Sequence, residues 1–256
     1  MDKKIFAINT HTHINNIDSR NPSLETVRQD NSLEWVETTN KAAFVDKVFC
    51  TTFCAVAFED DVEKENDYIR KLAEENDFLY FYVTIEPRTE GTFKQAEEML
   101  KSDKCVGIKI HPSNHKYTLD EYGDKIFEFA AKHNAIVLIH PDAAVDYILP
   151  FADKYPEVTF IMAHLGTYSS DSYVNAIKNA KHGNVYTDVS GRASTYNKII
   201  EYTVANAGSD KILFGNDLYG VGFQRGRIEY AVISEEDKEN ILRNNALRLF
   251  GKIINK

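Results

Sequence analysis

The feature that most constrains this chain is a repeat of pattern rather than of letters. Eight short apolar runs, at residues 4–8, 48–53, 78–85, 105–110, 135–139, 158–163, 184–188 and 211–214, are separated by longer amphipathic stretches. Most of the runs are bounded and rich in Val, Ile, Phe or Tyr, as strands buried on both faces should be. The stretches between them have helical spacing. Residues 61–76 carry Val62, Ile69 and Leu72 among charges, and residues 119–133 place Ile126, Phe127, Phe129 and Ala130 on one side. The tripeptides Lys132-His133-Asn134 and Lys181-His182-Gly183 have the form of helix C-termini. A last helix is expected over 235–250, with Ile241, Leu242, Ala246, Leu249 and Phe250 in register.

Strands alternating with helices imply a parallel sheet. Eight such units in 256 residues predict an α/β fold, a single (β/α)8 barrel. The rival, an open doubly wound sheet holding a nucleotide, usually has a glycine-rich first turn; here that turn reads "NTHTHINN". No linker rich in Pro, Gly or Ser divides the chain, so residues 1–256 are expected to form one domain. An extra segment at about 22–44 is expected to add one or two helices over one end of the barrel.

Composition narrows the partners. With 43% hydrophobic residues the core can be large, and a net charge of -9 argues against a nucleic-acid backbone or an anionic membrane as partner. No apolar run approaches the ~20 residues that span a bilayer, and Met1-Asp2-Lys3-Lys4 leads into a short strand with no signal-like apolar region. Cys50, Cys54 and Cys105 are too few and too scattered for a disulfide framework. A cytoplasmic protein acting on a small molecule is expected, and a homo-oligomer is compatible with it.

In such barrels the chemistry sits at the C-terminal strand ends, and that is where the unusual polar residues fall. His11 and His13 follow run one, Lys109 and His111 lie at run four, His140 follows run five, His164 run six and Asp217 run eight. Alternation along a strand turns both imidazoles of an H-x-H pair to one face, which offers two nitrogens to one ion. Alone, such a pair is a weak signal, a strand-end histidine is more often structural, and an Asp after a strand is more often a helix cap. Converging on one barrel mouth, His11, His13, His140, His164 and Asp217 read as a site for zinc or a similar divalent ion. His133 and His182 sit at helix ends, where a cation suits the dipole, and His115 stays unassigned.

"THTH", "GIKIHP", "VLIHPD", "FIMAHLG", "LFGND" and "ILRNNALRLFG", in that order over nearly the whole chain, resemble the amidohydrolase superfamily. They are most similar to its branch of short barrels, which includes amidohydrolase-related hydrolases and nonoxidative decarboxylases of aromatic and related acids. The resemblance implies metal ligands His11, His13, His140 and Asp217, with His164 beside the metal-bound water or the substrate. It also implies one ion rather than two, because Lys109, two residues before His111-Pro112, matches the mononuclear branch better than a bridging lysine. The most expected metal is zinc, with manganese as the alternative. Asn216 departs from the pattern, which more often has Ser or Thr before the aspartate.

A divalent ion with an open position lowers the pKa of bound water from 15.7 to about 7. Asp217 would accept that proton, and His164 would stabilise the developing oxyanion. This predicts hydrolysis of an amide, ester or lactone. The same parts suit a decarboxylase, with His164 or Asp217 protonating the carbon that loses CO2. Lys109, His111 and Arg192 are expected to bind substrate, Arg192 as a bidentate carboxylate clamp, and Phe58, Glu86, Tyr168 and Tyr219 are candidate walls. A TatD-like deoxyribonuclease is disfavoured, since Lys109 stands where those barrels have a glutamate ligand. A structural zinc site is disfavoured because such sites are closed.

Overall fold

The computed structural model describes residues 5–16, 31–59, 61–196 and 198–255. Eight parallel strands pair in chain order: β1 (Ala7–Ile14), β2 (Val45–Thr52), β3 (Leu79–Thr84), β4 (Cys105–Ile110), β5 (Ile136–Ile139), β6 (Thr159–Met162), β7 (Val185–Asp188) and β8 (Ile212–Leu213). Helices connect them: α1 (Leu33–Ala42), α2 (Phe53–Ala57), α3 (Val62–Glu75), α4 (Glu90–Met99), α5 (Leu119–Lys132), α6 (Leu149–Lys154), α7 (Ser170–Asn179) and α8 (Ile199–Ala207). After β8 come α9 (Val221–Glu229), α10 (Glu235–Glu239) and α11 (Asn245–Ile254). The last strand is short, so the barrel is drawn shut by single bonds. Thr10 N donates to Phe214 O at 2.8 Å, and the amides of Asn216 and Asp217 both donate to His11 O, at 2.9 and 2.8 Å. The fold is a single (β/α)8 barrel.

Two apolar regions hold it. The larger lies between strands and helices. The smaller fills the barrel with Ile8, Phe49, Tyr80, Tyr82, Val106, Leu138, Ile161 and Leu213, and α11 adds Ala246, Phe250 and Ile254 to it. These residues come mainly from the early parts of the strands, so α11 plugs the N-terminal end and leaves the C-terminal end as the mouth. Among the described residues no helix is long and apolar enough to cross a membrane.

Strict alternation would not place the histidines in the mouth. Counting by twos from the interior Ile8 puts His11 and His13 outside. The β1–β2 register slips between Asn9↔Val48 and Thr12↔Cys50, three residues against two, and this bulge reverses the faces. A second slip, from Phe81↔Cys105 to Tyr82↔Gly107, does the same for β4. Val106 faces the interior there, while Ile108 and Ile110 belong to the outer region. At this bulge Gly107 has φ +152°, and a Cβ would meet Ile136 O at 2.3 Å, so the position admits only glycine.

Some boundaries differ from expectation. β1 does not end before the histidines: it continues through them to Ile14, because the polar run still pairs with β2. Of the segment at 22–44, residues 22–30 lie outside the described residues, and Leu33–Ala42 form α1, which packs on β2 and α9. The helix expected over 235–250 is interrupted by a π turn at Asn240–Asn244. Cys50, Cys54 and Cys105 are buried thiols.

Candidate metal centre

Six side chains meet at the mouth. His11 and His13 come from β1, His140 follows β5, His164 follows β6, Asp188 ends β7 and Asp217 follows β8. His164 (φ +65°) and Asp217 (φ +58°) are left-handed. That conformation is enriched in His and Asp and ends each strand in a sharp turn.

Asp188 is the hub. It is wholly buried, and its Oδ2 lies 2.8 Å from His11 Nδ1. Its Oδ1 accepts from the amides of His164 (3.1 Å) and Ser190 (2.9 Å) and from the Ser190 hydroxyl. A carboxylate only accepts, so His11 carries its proton on Nδ1 and its Nε2 holds a lone pair. That Nε2 is buried without a hydrogen-bond partner. The same logic passes outward. The Ser190 hydroxyl is committed to Asp188, so it accepts from His164 Nδ1 at 2.9 Å. His164 Nε2 then accepts from His140 Nδ1 at 3.1 Å. His140 is thereby left with its lone pair on Nε2. His13 Nδ1 sits 2.8 Å from Thr51 Oγ1, and its Nε2 lies 3.2 Å from Asp217 Oδ1. Thr12 Oγ1 donates to Asp217 O at 2.7 Å and ties the loop after β8 to β1.

Charge follows burial. Burial, with Lys109 nearby, lowers the His11 pKa to about 3, although Asp188 opposes the shift. Burial lowers His140 to about 2, helped by His164 and Lys109. Neutral imidazoles are the form that binds metal. Burial pushes the Asp188 and Asp217 carboxyls upward, but His11 for the former and His13 for the latter outweigh it, and both are held well below the carboxylate range. Among the described residues, two triads have ligand atoms within 4.8 Å of one another: His11, His13 and Asp217, and His11, His164 and Asp188. His140 is in neither triad.

A cavity of about 300 Å3 opens beside these groups. Its walls include His140, His164, Arg192, Tyr196, Asp217 and Tyr219. Of the three residues expected to touch substrate, Arg192 lines it and Lys109 and His111 do not. Lys109 is buried with Nζ unpartnered, and burial lowers its pKa to about 8. His111 stacks on His140 with ring centroids 3.8 Å apart and lies 3.2 Å from Asn114 Nδ2. Tyr219 is a wall, whereas Phe58, Glu86 and Tyr168 are not. Glu86 instead accepts from Arg88 Nε at 2.6 Å and Thr89 Oγ1 at 3.0 Å, beside the start of α4. Asp188 and Ser190 escaped the sequence reading. The signal was present, since "YTDVS" ends an apolar run in a carboxylate as "LFGND" does.

Residues 8–252 match the family model described as Amidohydrolase. The chain belongs to the amidohydrolase family. Among curated proteins none matches it significantly. Solved structures agree on the fold over almost the entire chain. One is 2,6-dihydroxybenzoate decarboxylase from Rhizobium, at 12% identity, TM-score 0.76, covering 97% of this chain and 99% of that one. A second is dihydroxybenzoic acid decarboxylase from Polaromonas sp. JS666, with bound manganese and 2-nitroresorcinol, at 15% identity, TM-score 0.77, covering 99% and 98%. A third is a probable 2-pyrone-4,6-dicarboxylic acid hydrolase from Acinetobacter baumannii, with citric acid bound, at 14% identity, TM-score 0.70, covering 96% and 100%. The family is one of enzymes, and this protein is an enzyme of it.

Proposed function

We propose that the protein is a metal-dependent hydrolase of a small amide, ester or lactone. The observation that carries the metal dependence is the buried, unpartnered Nε2 of His11. Its lone pair is fixed by Asp188, and it lies in one triad with His13 and Asp217. Such a nitrogen costs free energy unless something binds it. His11, His13, His140 and Asp217 would hold a divalent ion, zinc by donor type and manganese by analogy with the solved decarboxylase. When bound, the ion supplies an acidified water and polarises a carbonyl.

The chain's own groups do the rest. Asp217 takes the proton from water and returns it to the leaving group. Arg192 orients an anionic end of the substrate. His164 reaches substrate through Nε2 only after releasing His140, and with its proton held on Nδ1 toward Ser190 that nitrogen acts as an acceptor, orienting an O–H or N–H of the substrate. One ion is favoured over two, because in the second triad His11 Nδ1 is already spent on Asp188.

Metal analysis tests the site: about one equivalent is expected, with little left in His11→Ala or Asp217→Asn, and full retention in both would refute the ligand set. The decarboxylase reading is the alternative, favoured by the likeness to the two decarboxylases. A panel of esters, lactones and amides, run beside carboxylated aromatics, separates the two. CO2 release without water-dependent cleavage would replace hydrolysis with decarboxylation.

A further inference from the structure

Across Tyr219 from the metal-side cavity lies a second one of about 480 Å3, bounded by α1 and the start of α9. Thr12, Asn40 and Asn216 are its most deeply buried polar residues, and Trp35, Val36 and Val221 supply apolar walls. The two cavities differ in kind. The first is lined by Arg192, Asp217, His140 and His164. Among the described residues no charged side chain lines the second. Trp35 and Tyr219, both of which line it, are 52% and 46% exposed, a large aromatic area to leave in water beside a concave site. Asn216 spends its Oδ1 on Asn9, 2.6 Å away, and one N–H on Tyr219 O, which leaves a second N–H. The cavities also adjoin. Tyr219 is a wall of both, and Thr12, a wall of the second, donates to the carbonyl of Asp217, a wall of the first.

We propose that this second cavity is a subsite for a neutral, aromatic or apolar group, and that the substrate reaches it past Tyr219 from the metal side. The subsite deepens the hydrolase reading and, as a statement about substrate, rests on it. An ester or amide bond between the cavities takes the oxygen of water onto its acyl carbon as the C–O or C–N bond breaks, and the departing alcohol or amine takes the proton. One product then lies on each side of Tyr219.

Trp35 is the only tryptophan in the chain, so its fluorescence reports on this cavity alone. The full chain, without added metal, is titrated with 4-nitrobenzyl alcohol, which is neutral, and with 4-nitrobenzoate, its anionic counterpart. Saturable quenching is expected from the alcohol, with apparent binding about tenfold weaker for the anion. A Cβ at Gly222, which lines the cavity, meets nothing within 4 Å. The backbone there therefore accepts a side chain at Cβ, and the bulk of Gly222→Phe at the cavity wall should weaken the alcohol about tenfold, with Gly222→Ala close to wild type. Quenching that stays linear with concentration, or is equal in wild type and Gly222→Phe, overturns the subsite. Because the measurement needs no metal, saturable quenching alongside failure of every ester, lactone and amide leaves the subsite standing and the hydrolase reading wrong.

Discussion

At Gly215 the site is tightest. A Cβ there would stand 2.9 Å from His11 Cβ and 3.2 Å from Ser190 Cβ, both on backbone that cannot retreat easily. Gly215→Ala is expected to cost about 1–3 kcal/mol by overpacking, and to weaken metal binding by displacing the His11 ring. Urea unfolding and a metal titration check both; unchanged stability would mean that β8 shifts freely. The same residues show what a sequence can reveal. His11, His13, His140, His164 and Asp217 could be read directly, because each follows an apolar run that packing alone would have continued. In the sequence Asp188 is only the last letter of an apolar run, and Ser190 is one loop serine among others. Their importance lies in what faces them, His11 and His164, which are 177 and 26 residues away in the chain respectively. One-dimensional spacing holds no trace of those pairings.

Among elements, the strand bulges were the least visible. Nothing in "FAINTHTHI" marks the slip between Asn9 and Thr12, since a bulge is defined only against its partner strand. The C-terminal motif "ILRNNALRLFG" fared differently. It suggested a helix, and helix it is, apart from one wide turn in which the amide of Asn245 reaches Asn240 O. That turn lets both asparagines face the chain entering β8. Asn240 Nδ2 donates to Ser209 Oγ at 3.2 Å, and Asn245 Nδ2 donates to the carbonyls of Ser209 and Ile212, both at 2.7 Å. Asn245 is buried and far from the mouth, so it acts as a brace for the shortest strand. Asn245→Ala should lower stability by about 1–3 kcal/mol, the cost of orphaning buried carbonyls, with metal content unchanged. A fall in metal content at full stability would contradict that assignment.

For the whole molecule, the dominant electrostatic fact is a set of neutral histidines, four buried and His140 half-buried. His11, His13, His111, His115 and His140 are all held below their ordinary pKa of 6.5, chiefly by burial. Unfolding returns them to water. Below about pH 6.5 the unfolded chain therefore binds protons that the native chain refuses, and stability falls as pH falls. Each histidine fully within that window contributes a slope of about 1.4 kcal/mol per pH unit. For His11 the window closes near its native value of about 3. Denaturant titrations of metal-free protein should lose more than about 2 kcal/mol between pH 7 and pH 5; a flat profile would show that the histidines already titrate in the native state. The seam that shuts the barrel has a further consequence, one of time rather than energy. Thr10 and Phe214, which meet across it, are 204 residues apart in the chain, and so wide a loop closes late in folding. His11, whose carbonyl receives Asn216 and Asp217 at that seam, is also a proposed metal ligand. The nascent chain thus has no assembled metal centre to fill until its first and last strands have met, and a metal arriving early would find His11 and His13 without Asp217 beside them.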